Sequence, residues 1–376
     1  MRVNTPYDPA IGITTLRQRL VNDEARWPVA IGCNDCPDFN ACGGISSASK
    51  RYDCYDNCCG GKADCQIVCR QNPNFVDQYN EIRGFDLDSS PRTLPLTTDL
   101  PNGSVPIIYH GGHRAKDIKL EAVFLRLREL INFDGKFVKF KSKKQLCEHF
   151  GIHIDTKVYV TGIDKDKHIE KWWALTSRVR PALIRQLKSV GVSLITTPNY
   201  SMMTDVPRLD NLHSMSRIAD NFAEFQSFGL AAALHPNSRT EKDFERWAEL
   251  ISSRGEIRTL AYEFGTGSGH KNRIKKHIDG LVEIANRSNR DLDIIVRGNT
   301  SVISPLLNVY RNVTFIEASS FMKTVNFKKA IRRGNRRVIW ETYQEDGMFS
   351  IDRLFEHNIE ESSSLLNLIY NERENA

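Results

Sequence analysis

The chain has 376 residues, of which 40% are hydrophobic and 26% are charged, and its formal net charge is +6. This composition is typical of a soluble globular protein and excludes an intrinsically disordered chain, while the length allows one large domain and one small domain. The N-terminal residues lack the apolar core of a signal peptide, and no apolar run approaches the ~20 residues of a membrane span. We therefore expect a cytoplasmic protein without a membrane partner.

Eight of the nine cysteines lie in one N-terminal segment, and the ninth is Cys147. The clustered residues are Cys33, Cys36, Cys42, Cys54, Cys58, Cys59, Cys65 and Cys69. Because the sequence shows no route to an oxidising compartment, this density favours metal ligation over disulfides. Eight thiolates are enough for two four-cysteine sites, or for one site with spare thiols.

The cysteine spacing leaves the choice of metal open between zinc and an iron–sulfur cluster. The short pair Cys33-x2-Cys36 is typical of structural zinc. The x5 spacings and the adjacent Cys58 and Cys59 suit a larger cluster, which slightly favours [4Fe–4S] over zinc.

The run from Cys33 to Gly44 reads C-x2-C-x5-C followed by two glycines. It resembles the auxiliary-cluster segment of SPASM-type proteins, and this resemblance implies an iron–sulfur site. A SPASM protein has a further cysteine where this chain has Ser46, and the C-x3-C-x2-C signature of a radical S-adenosylmethionine core is absent.

From about residue 105, short apolar runs alternate with amphipathic stretches. Eight runs predict buried parallel strands, namely Val105–His110, Lys157–Gly162, Val192–Thr197, Leu230–His235, Ile257–Glu263, Leu292–Arg297, Val313–Ala318 and Val338–Thr342. Eight strand–helix units predict an α/β fold, a (β/α)8 TIM-like barrel preceded by a small cysteine-rich metal-binding module. A doubly wound open sheet is the alternative.

Between the strands, amphipathic periodicity predicts helices over Lys167–Val190, Leu209–Phe228, Thr240–Ser253, Lys271–Ser288, Ser301–Tyr310 and Phe321–Ile331. Thr240 and Asp243 have the spacing of a capping box. The stretch Phe133–Asp155 is interpreted as an extra piece within the first β/α unit, with Cys147 as a core residue. The predicted domains are residues 1–104 (cysteine-rich module), 105–345 (barrel) and 346–376 (C-terminal tail).

In a parallel barrel, side chains at the C-terminal ends of the strands face the active site. The predicted strand ends carry ionisable and amide residues, whereas the opposite ends are mostly apolar. We expect His110, His113, Asn199, His235, Glu263, Arg297 and Glu317 to converge as a general acid/base and anion-binding pocket. Each of these residues taken alone also has a structural explanation, such as helix capping or core packing.

A glycine-rich segment follows the fifth predicted strand and precedes a helix. Gly265, Gly267, Gly269 and Lys271 predict a phosphate cradle built from backbone N–H groups and a helix N-terminus. A flexible loop is an equally simple interpretation of these glycines.

Three basic runs lie at residues 136–144, 270–277 and 328–337. Lysine and arginine clusters of this kind bind phosphates, so the runs favour a nucleic-acid partner, either DNA or RNA. We expect the contacts at Lys139–Lys144, Lys271–Lys276 and Arg332–Arg337. The alternative is that each run is a solvated helix or loop face.

A barrel with a cysteine metal site and basic surfaces is remotely similar to the tRNA-guanine transglycosylases. The similarity implies a carboxylate nucleophile at a strand end, which would be Glu317. The Asp-Ser-Gly-Gly segment of that family is absent, and the cysteines of this chain precede the barrel.

Three functional hypotheses follow from the sequence. The first is an enzyme, a transferase or hydrolase, that acts on a nucleotide or nucleic acid. The second is an enzyme on a small phosphorylated or anionic molecule. The third is a non-catalytic nucleic-acid-binding subunit with protein partners in a larger complex.

Overall fold

The computed structural model describes residues 78, 80–84, 86–112, 117–202, 208–265, 267–334, 337–344 and 350–374. All eight clustered cysteines, and therefore the predicted metal-binding module, lie outside the described residues. The strands are β1 (Gly103–Ile108), β2 (Ala122–Arg126), β3 (Ile131–Asn132), β4 (Phe137–Val138), β5 (Lys157–Thr161), β6 (Val192–Thr196), β7 (Ala231–Ala233), β8 (Thr259–Phe264), β9 (Asp293–Gly298), β10 (Asn312–Glu317), β11 (Lys328–Arg333) and β12 (Arg337–Thr342).

The helices surround the central sheet and connect its strands. They are α1 (Leu127–Leu130), α2 (Lys143–Phe150), α3 (Asp166–Ala174), α4 (Thr176–Ser189), α5 (Arg208–Ser227), α6 (Glu241–Ser253), α7 (Lys271–Ser288), α8 (Ile303–Leu307), α9 (Ser319–Val325) and α10 (Ile351–Glu374). The predicted capping box at the start of α6 is confirmed. The Thr240 hydroxyl oxygen accepts the backbone N–H of Asp243, and the Asp243 carboxylate accepts the backbone N–H of Thr240.

Eight parallel strands form one sheet in the order β7-β6-β5-β2-β1-β10-β9-β8. A parallel bridge between Leu234 and Leu260 joins the two outer strands, with N–H···O distances of 2.8 and 2.9 Å. The sheet is therefore a nearly closed barrel whose strands follow one another in chain order, which confirms the predicted (β/α)8 architecture. The strands are buried on both faces, as their continuous apolar sequences predict.

One predicted barrel strand is wrong and one barrel strand was not predicted, and these two errors compensate in the count of eight. The second barrel strand is β2, which the sequence analysis did not identify. Its residues AVFLR run directly into LREL of α1, and this combined apolar pattern has the period of a helix. The stretch Phe133–Asp155 consequently lies between β2 and β5, in the second β/α unit.

The run Val338–Thr342 is not a barrel strand. It lies within β12, which pairs antiparallel with β11 as a hairpin outside the barrel sheet. The helix predicted over Phe321–Ile331 ends at Val325, and the remaining residues begin β11. The sequence of a five-residue strand does not determine which sheet the strand joins. Only the tertiary contacts distinguish a barrel strand from a hairpin strand.

The long helix predicted over Lys167–Val190 is two helices in the structure, α3 and α4. They meet at Leu175 and Thr176, where Thr176 has a φ of 60°. A positive φ at a β-branched residue cannot continue a right-handed helix, so the chain turns there.

The C-terminal helix α10 occupies the outside of the barrel next to β1 and β10. The Tyr370 hydroxyl donates to the Val313 carbonyl at 3.0 Å, and the Ser104 and Ser363 hydroxyls are 3.0 Å apart. The segment predicted as a tail therefore contains the helix that covers the last barrel strand. It takes this place because α9 is only seven residues long.

Residues 86–102 run along the N-terminal end of the barrel. The Arg254 guanidinium, only 3% exposed, donates to the carbonyls of Asp88, Ser90 and Pro91 at 2.7, 2.7 and 3.1 Å. Further along this segment, the Asp99 carbonyl accepts the Tyr159 hydroxyl at 2.7 Å. These contacts fix the chain that enters the barrel against the end opposite the strand C-termini.

Candidate functional site at the barrel mouth

Glu263 and Arg297 lie side by side at the C-terminal ends of β8 and β9, the end that we call the barrel mouth. They are register partners in the parallel pair, and Arg297 Nη1 is 3.7 Å from Glu263 Oε1. Their side chains are 22% and 19% exposed for Arg297 and Glu263 respectively. The structure thus brings together the carboxylate and the guanidinium that the sequence placed at these strand ends.

Tyr109, which follows β1, completes this cluster and was not identified from the sequence. Its hydroxyl accepts a hydrogen bond from Arg297 Nη2 at 2.9 Å. The guanidinium of Arg126, at the end of β2, lies over the Tyr109 ring at 4.7 Å and donates to the Tyr109 carbonyl at 2.9 Å. The position of Tyr109 directly before His110 could have indicated that it lies at the mouth. Arg126 could not be identified in this way, because its strand β2 was not predicted.

Burial raises the pKa of the Glu263 carboxyl above its usual value; Arg297 opposes this shift and the nearby Asp164 adds to it. Burial likewise raises the pKa of the Tyr109 hydroxyl, which therefore keeps its proton. A carboxyl with a raised pKa next to a protonated phenol and two guanidiniums can exchange protons near an anionic group.

A second charged network borders the mouth around the end of β2. Arg126 Nη2 donates to Glu129 at 2.7 Å, and Arg128 lies 3.2 Å from the same carboxylate. Arg128 also pairs with Asp164 at 3.1 Å and donates to His168 Nε2 at 2.7 Å. These contacts orient Arg126 and Asp164 next to the Glu263 cluster.

Glu317 lies in the same region but has a different environment. Its buried carboxylate accepts the backbone N–H groups of Ser319 at 2.6 Å and of Ser320 at 3.1 and 3.2 Å, and so caps the N-terminus of α9. Burial raises the pKa of Glu317 in spite of these hydrogen bonds. Since both of its oxygens are engaged, Glu317 is less available to a substrate than Glu263.

A cavity of about 460 Å³ connects the mouth to the β11–β12 hairpin. On the mouth side it is lined by Glu263, Arg297 and Glu317, and on the hairpin side by Arg337 and Trp340. The volume lies within the range of sites for small molecules and cofactors. Trp340 was not identified from the sequence, because its strand was assigned to the barrel.

His110, Asn199 and His235, the other predicted site residues that the structure describes, have different surroundings. The half-buried His110 packs its ring edge-on against Phe321 at 5.0 Å. Both ring nitrogens of His235 and the Oδ1 atom of Asn199 are buried without a hydrogen-bond partner among the described residues. His113 lies outside the described residues.

His235 lies on the helix side of the barrel wall. It stacks on Tyr262 at 5.2 Å, and the Tyr262 hydroxyl is 2.7 Å from Nδ1 of His277 in the outer helix α7. Successive strand residues point to opposite faces, so Tyr262 points away from the side that Glu263 occupies. Burial lowers the pKa of His235 to about 3, which keeps the ring neutral.

The glycine-rich segment is tightly packed against the end of β8. A Cβ atom on Gly265 would lie 2.8 Å from Glu263 Oε1, and one on Gly269 would lie 2.0 Å from the Phe264 carbonyl oxygen. Gly267 begins the short 3₁₀ turn, and Lys271 begins α7. Gly265 and Gly269 therefore have a packing reason in the fold, and the phosphate cradle stays a prediction.

The structure separates the three basic runs. The side chain of Lys143 lies under Gly191, which precedes β6, so this part of the first run is at the end opposite the mouth. The second run begins α7, which directly follows the mouth end of β8. The third forms the hairpin that lines the cavity through Arg337.

Cys147 is 3% exposed in α2, which confirms it as a core residue. Within the described part of the chain, no group of three or more His, Cys, Asp or Glu side chains is arranged to hold a metal ion. Over the same residues, the helices include none that is long and apolar enough to cross a membrane.

Comparison of the chain with protein-family models, with curated proteins and with solved structures finds no match. The geometry of the barrel mouth is therefore the basis on which a function can be assigned.

Proposed function

We propose that the protein is an enzyme that acts on a nucleotide or nucleic acid by general acid–base chemistry at the barrel mouth. The observation that carries this proposal is the cavity that joins the Glu263–Arg297 pair to Trp340 and Arg337 of the basic hairpin. One cavity thereby combines a proton-transfer group, an anion-binding group and an aromatic ring, which are the three chemistries that a nucleotide requires.

Glu263 is the general acid or base in this proposal. Its raised pKa brings proton exchange closer to neutral pH than for an ordinary glutamate, which is the condition for efficient acid–base catalysis. We assign this role to Glu263 and not to Glu317, because the Glu317 oxygens accept three backbone hydrogen bonds and hold α9 in place.

Arg297, which lines the cavity, is the group that binds a phosphate. Arg297 uses one N–H for the Tyr109 hydroxyl and lies beside Glu263, and a guanidinium has five donors in total. The Tyr109 hydroxyl keeps its proton and can donate it in a hydrogen bond to an acceptor, such as a phosphate oxygen. Trp340 supplies a surface on which a base can stack.

Binding tests this proposal without knowledge of the reaction. We expect nucleoside monophosphates to bind in isothermal titration calorimetry and Arg297→Gln to weaken binding at least ~10-fold, because a charge-assisted contact contributes about 1.5–3 kcal/mol. Arg92→Gln, at a side chain that is 56% exposed and far from the mouth, is the matched control. Equal binding by both variants would contradict the site.

Chemistry is tested by mass spectrometry of nucleotides and oligonucleotides after incubation with the protein. We expect Glu263→Gln to bind like the wild type and to lose conversion, with Glu148→Gln on the exposed surface of α2 as the control. Binding without conversion in the wild type would favour the non-catalytic subunit. Conversion of sugar phosphates but not of nucleotides would favour the small-molecule enzyme.

The cysteine cluster is proposed to bind metal, as an iron–sulfur cluster or zinc, on the strength of its density in the sequence. Elemental analysis of anaerobically purified protein should show iron or zinc, and Cys36→Ser should lower the metal content. Cys147→Ser, at a buried core position of α2, should retain it. Intact disulfides without metal would refute the proposal.

A further inference from the structure

The β11–β12 hairpin concentrates positive charge beside the mouth. Residues 328–342 contain six lysines and arginines and one acid, Glu341. Arg333 and Arg337 face each other directly across the hairpin as register partners. Neither makes an ion pair with an acid in the part of the chain that the structure describes, although Arg332 lies 3.9 Å from Glu361.

Like charges directly opposite in an antiparallel pair are destabilising. A chain that opposes two arginines at the tip of an exposed hairpin therefore lowers its own stability locally. Such departures from local preference are expected where a functional contact compensates for them. A polyanion lying along the hairpin would neutralise both guanidiniums at once.

Two aromatic side chains accompany these charges. Phe327, directly before β11, is 48% exposed and has a φ of 48°, a backbone conformation that is rare for a bulky residue. Trp340 is partly exposed in β12, and Lys323 Nζ lies 5.7 Å from the centre of its ring. Exposed aromatic rings among cationic side chains are the pattern on which single-stranded bases stack.

We propose that the substrate of the mouth is single-stranded nucleic acid, held along the β11–β12 hairpin with one nucleotide inserted into the cavity. This proposal rests on the function proposed above and names its substrate class. Arg337 and Trp340 connect the hairpin surface to the barrel mouth, because both belong to the hairpin and both line the cavity that reaches Glu263.

The single strand is favoured over a duplex for a geometric reason. A nucleotide can enter a cavity of about 460 Å³ only after it leaves its base pair and stack, which costs more free energy in a duplex than in a single strand. Stacking on Trp340 or Phe327 likewise needs an accessible base face.

Fluorescence anisotropy with labelled single-stranded DNA and RNA 15-mers, using the full-length protein, tests the proposal. We expect both strands to bind more tightly than the matching duplex or a mononucleotide. The double variant Arg333→Gln/Arg337→Gln should lower the slope of log affinity against log salt by roughly 1.4, at ~0.7 per lost contact. Trp340→Ala should weaken strand binding roughly 5- to 150-fold, from about 1–3 kcal/mol per stacked base.

Lys157→Gln/Lys188→Gln is the matched control, since it removes the same charge near the opposite end of the barrel, where Lys157 begins β5 and Lys188 lies beside Gly229 before β7. It should leave the salt slope unchanged. Equal slopes for the hairpin variant and the wild type would overturn the proposal, as would tighter binding of duplex than of single strands. If mononucleotides bind and Arg297→Gln abolishes this binding while no strand binds, the proposed function stands and the single-strand proposal fails. If neither nucleotides nor strands bind, both fail.

Discussion

At the N-terminal end of the barrel, Arg311 holds Asp293 through two hydrogen bonds of 2.6 and 2.9 Å, and Asn312 adds a third at 3.0 Å. At the mouth, by contrast, Arg297 lies 3.7 Å from Glu263 without such a bidentate contact. Both carboxylates lie at the ends of the same β8–β9–β10 part of the sheet, so the difference is local.

The difference indicates a structural role for Asp293 and a ligand-binding role for Glu263. A carboxylate whose oxygens are fully engaged stabilises the fold and has no capacity left for a ligand. A buried carboxylate that is loosely paired has a raised pKa and remains available to a substrate, at some cost in stability. Four substitutions test this comparison, from the largest expected effect to the smallest.

Arg254→Ala should have the largest effect on stability, because it leaves three backbone carbonyls of residues 86–91 without their donor at the N-terminal end. We expect the free energy of unfolding to fall by about 3–5 kcal/mol, as for a broken buried charge contact. Urea denaturation measures this change. Arg92→Ala, at an exposed arginine, should cost under about 1 kcal/mol; equal losses would show that Arg254 does not hold the segment.

Asp293→Asn should lower the free energy of unfolding by about 1.5–3 kcal/mol, because the charge-assisted contacts with Arg311 and Asn312 are weakened. Asp291→Asn, two residues earlier and exposed, should be nearly neutral. The same urea titrations measure both variants. If Asp293→Asn were also neutral, the proposed division between a structural end and a functional end would lose its basis.

Glu263→Gln should change stability by less than about 1 kcal/mol near neutral pH, and the change should depend on pH. Because burial raises the folded-state pKa of Glu263, the folded protein binds more protons than the unfolded chain above pH 4.5. Glu263 therefore contributes a loss of stability to the wild type as pH rises from 4.5 through its folded-state pKa, and the glutamine variant lacks this contribution. In urea denaturation between pH 4.5 and 7.5, the free energy of unfolding of the variant should rise relative to that of the wild type as pH increases. A difference between the two that stays constant or changes in the opposite direction would contradict the raised pKa of Glu263.

Tyr109→Phe should have the smallest effect, about 0.5 kcal/mol, since it removes the acceptor of one Arg297 hydrogen bond and keeps the ring under Arg126. Tyr109→Leu also removes the ring and should cost more. Thermal unfolding of the two variants separates the hydroxyl from the ring. Equal losses would mean that the ring under Arg126 contributes nothing to stability, and no loss in Tyr109→Phe would mean the same for the hydroxyl contact with Arg297.

The barrel was predictable because its strands are buried on both faces, and this burial leaves continuous apolar runs in the sequence. Seven of the eight predicted runs are barrel strands. The eighth was misplaced because β2 continues into α1 with a helical period, while β12 has the composition of a buried strand and pairs outside the barrel.

The site was only partly predictable for a related reason. Glu263 and Arg297 end strands that the sequence identified, so their neighbourhood follows from the parallel register. Arg126 ends the strand that was missed, and Trp340 lies in the strand that was misplaced, so their contributions to the mouth appeared only in the structure. His235 shows the converse, because its position after a strand predicted a mouth residue and its ring stacks on the helix side of the wall.

The sequence by itself determined the alternation of strands and helices, the cysteine cluster and the polar strand ends, because these depend on local composition and period. The tertiary structure alone decided which strands close the barrel, which carboxylate is fully hydrogen-bonded, and that the basic hairpin shares a cavity with Glu263. These features depend on contacts between residues far apart in the chain. Local periodicity does not specify such contacts, since one apolar run can pair with any compatible strand edge.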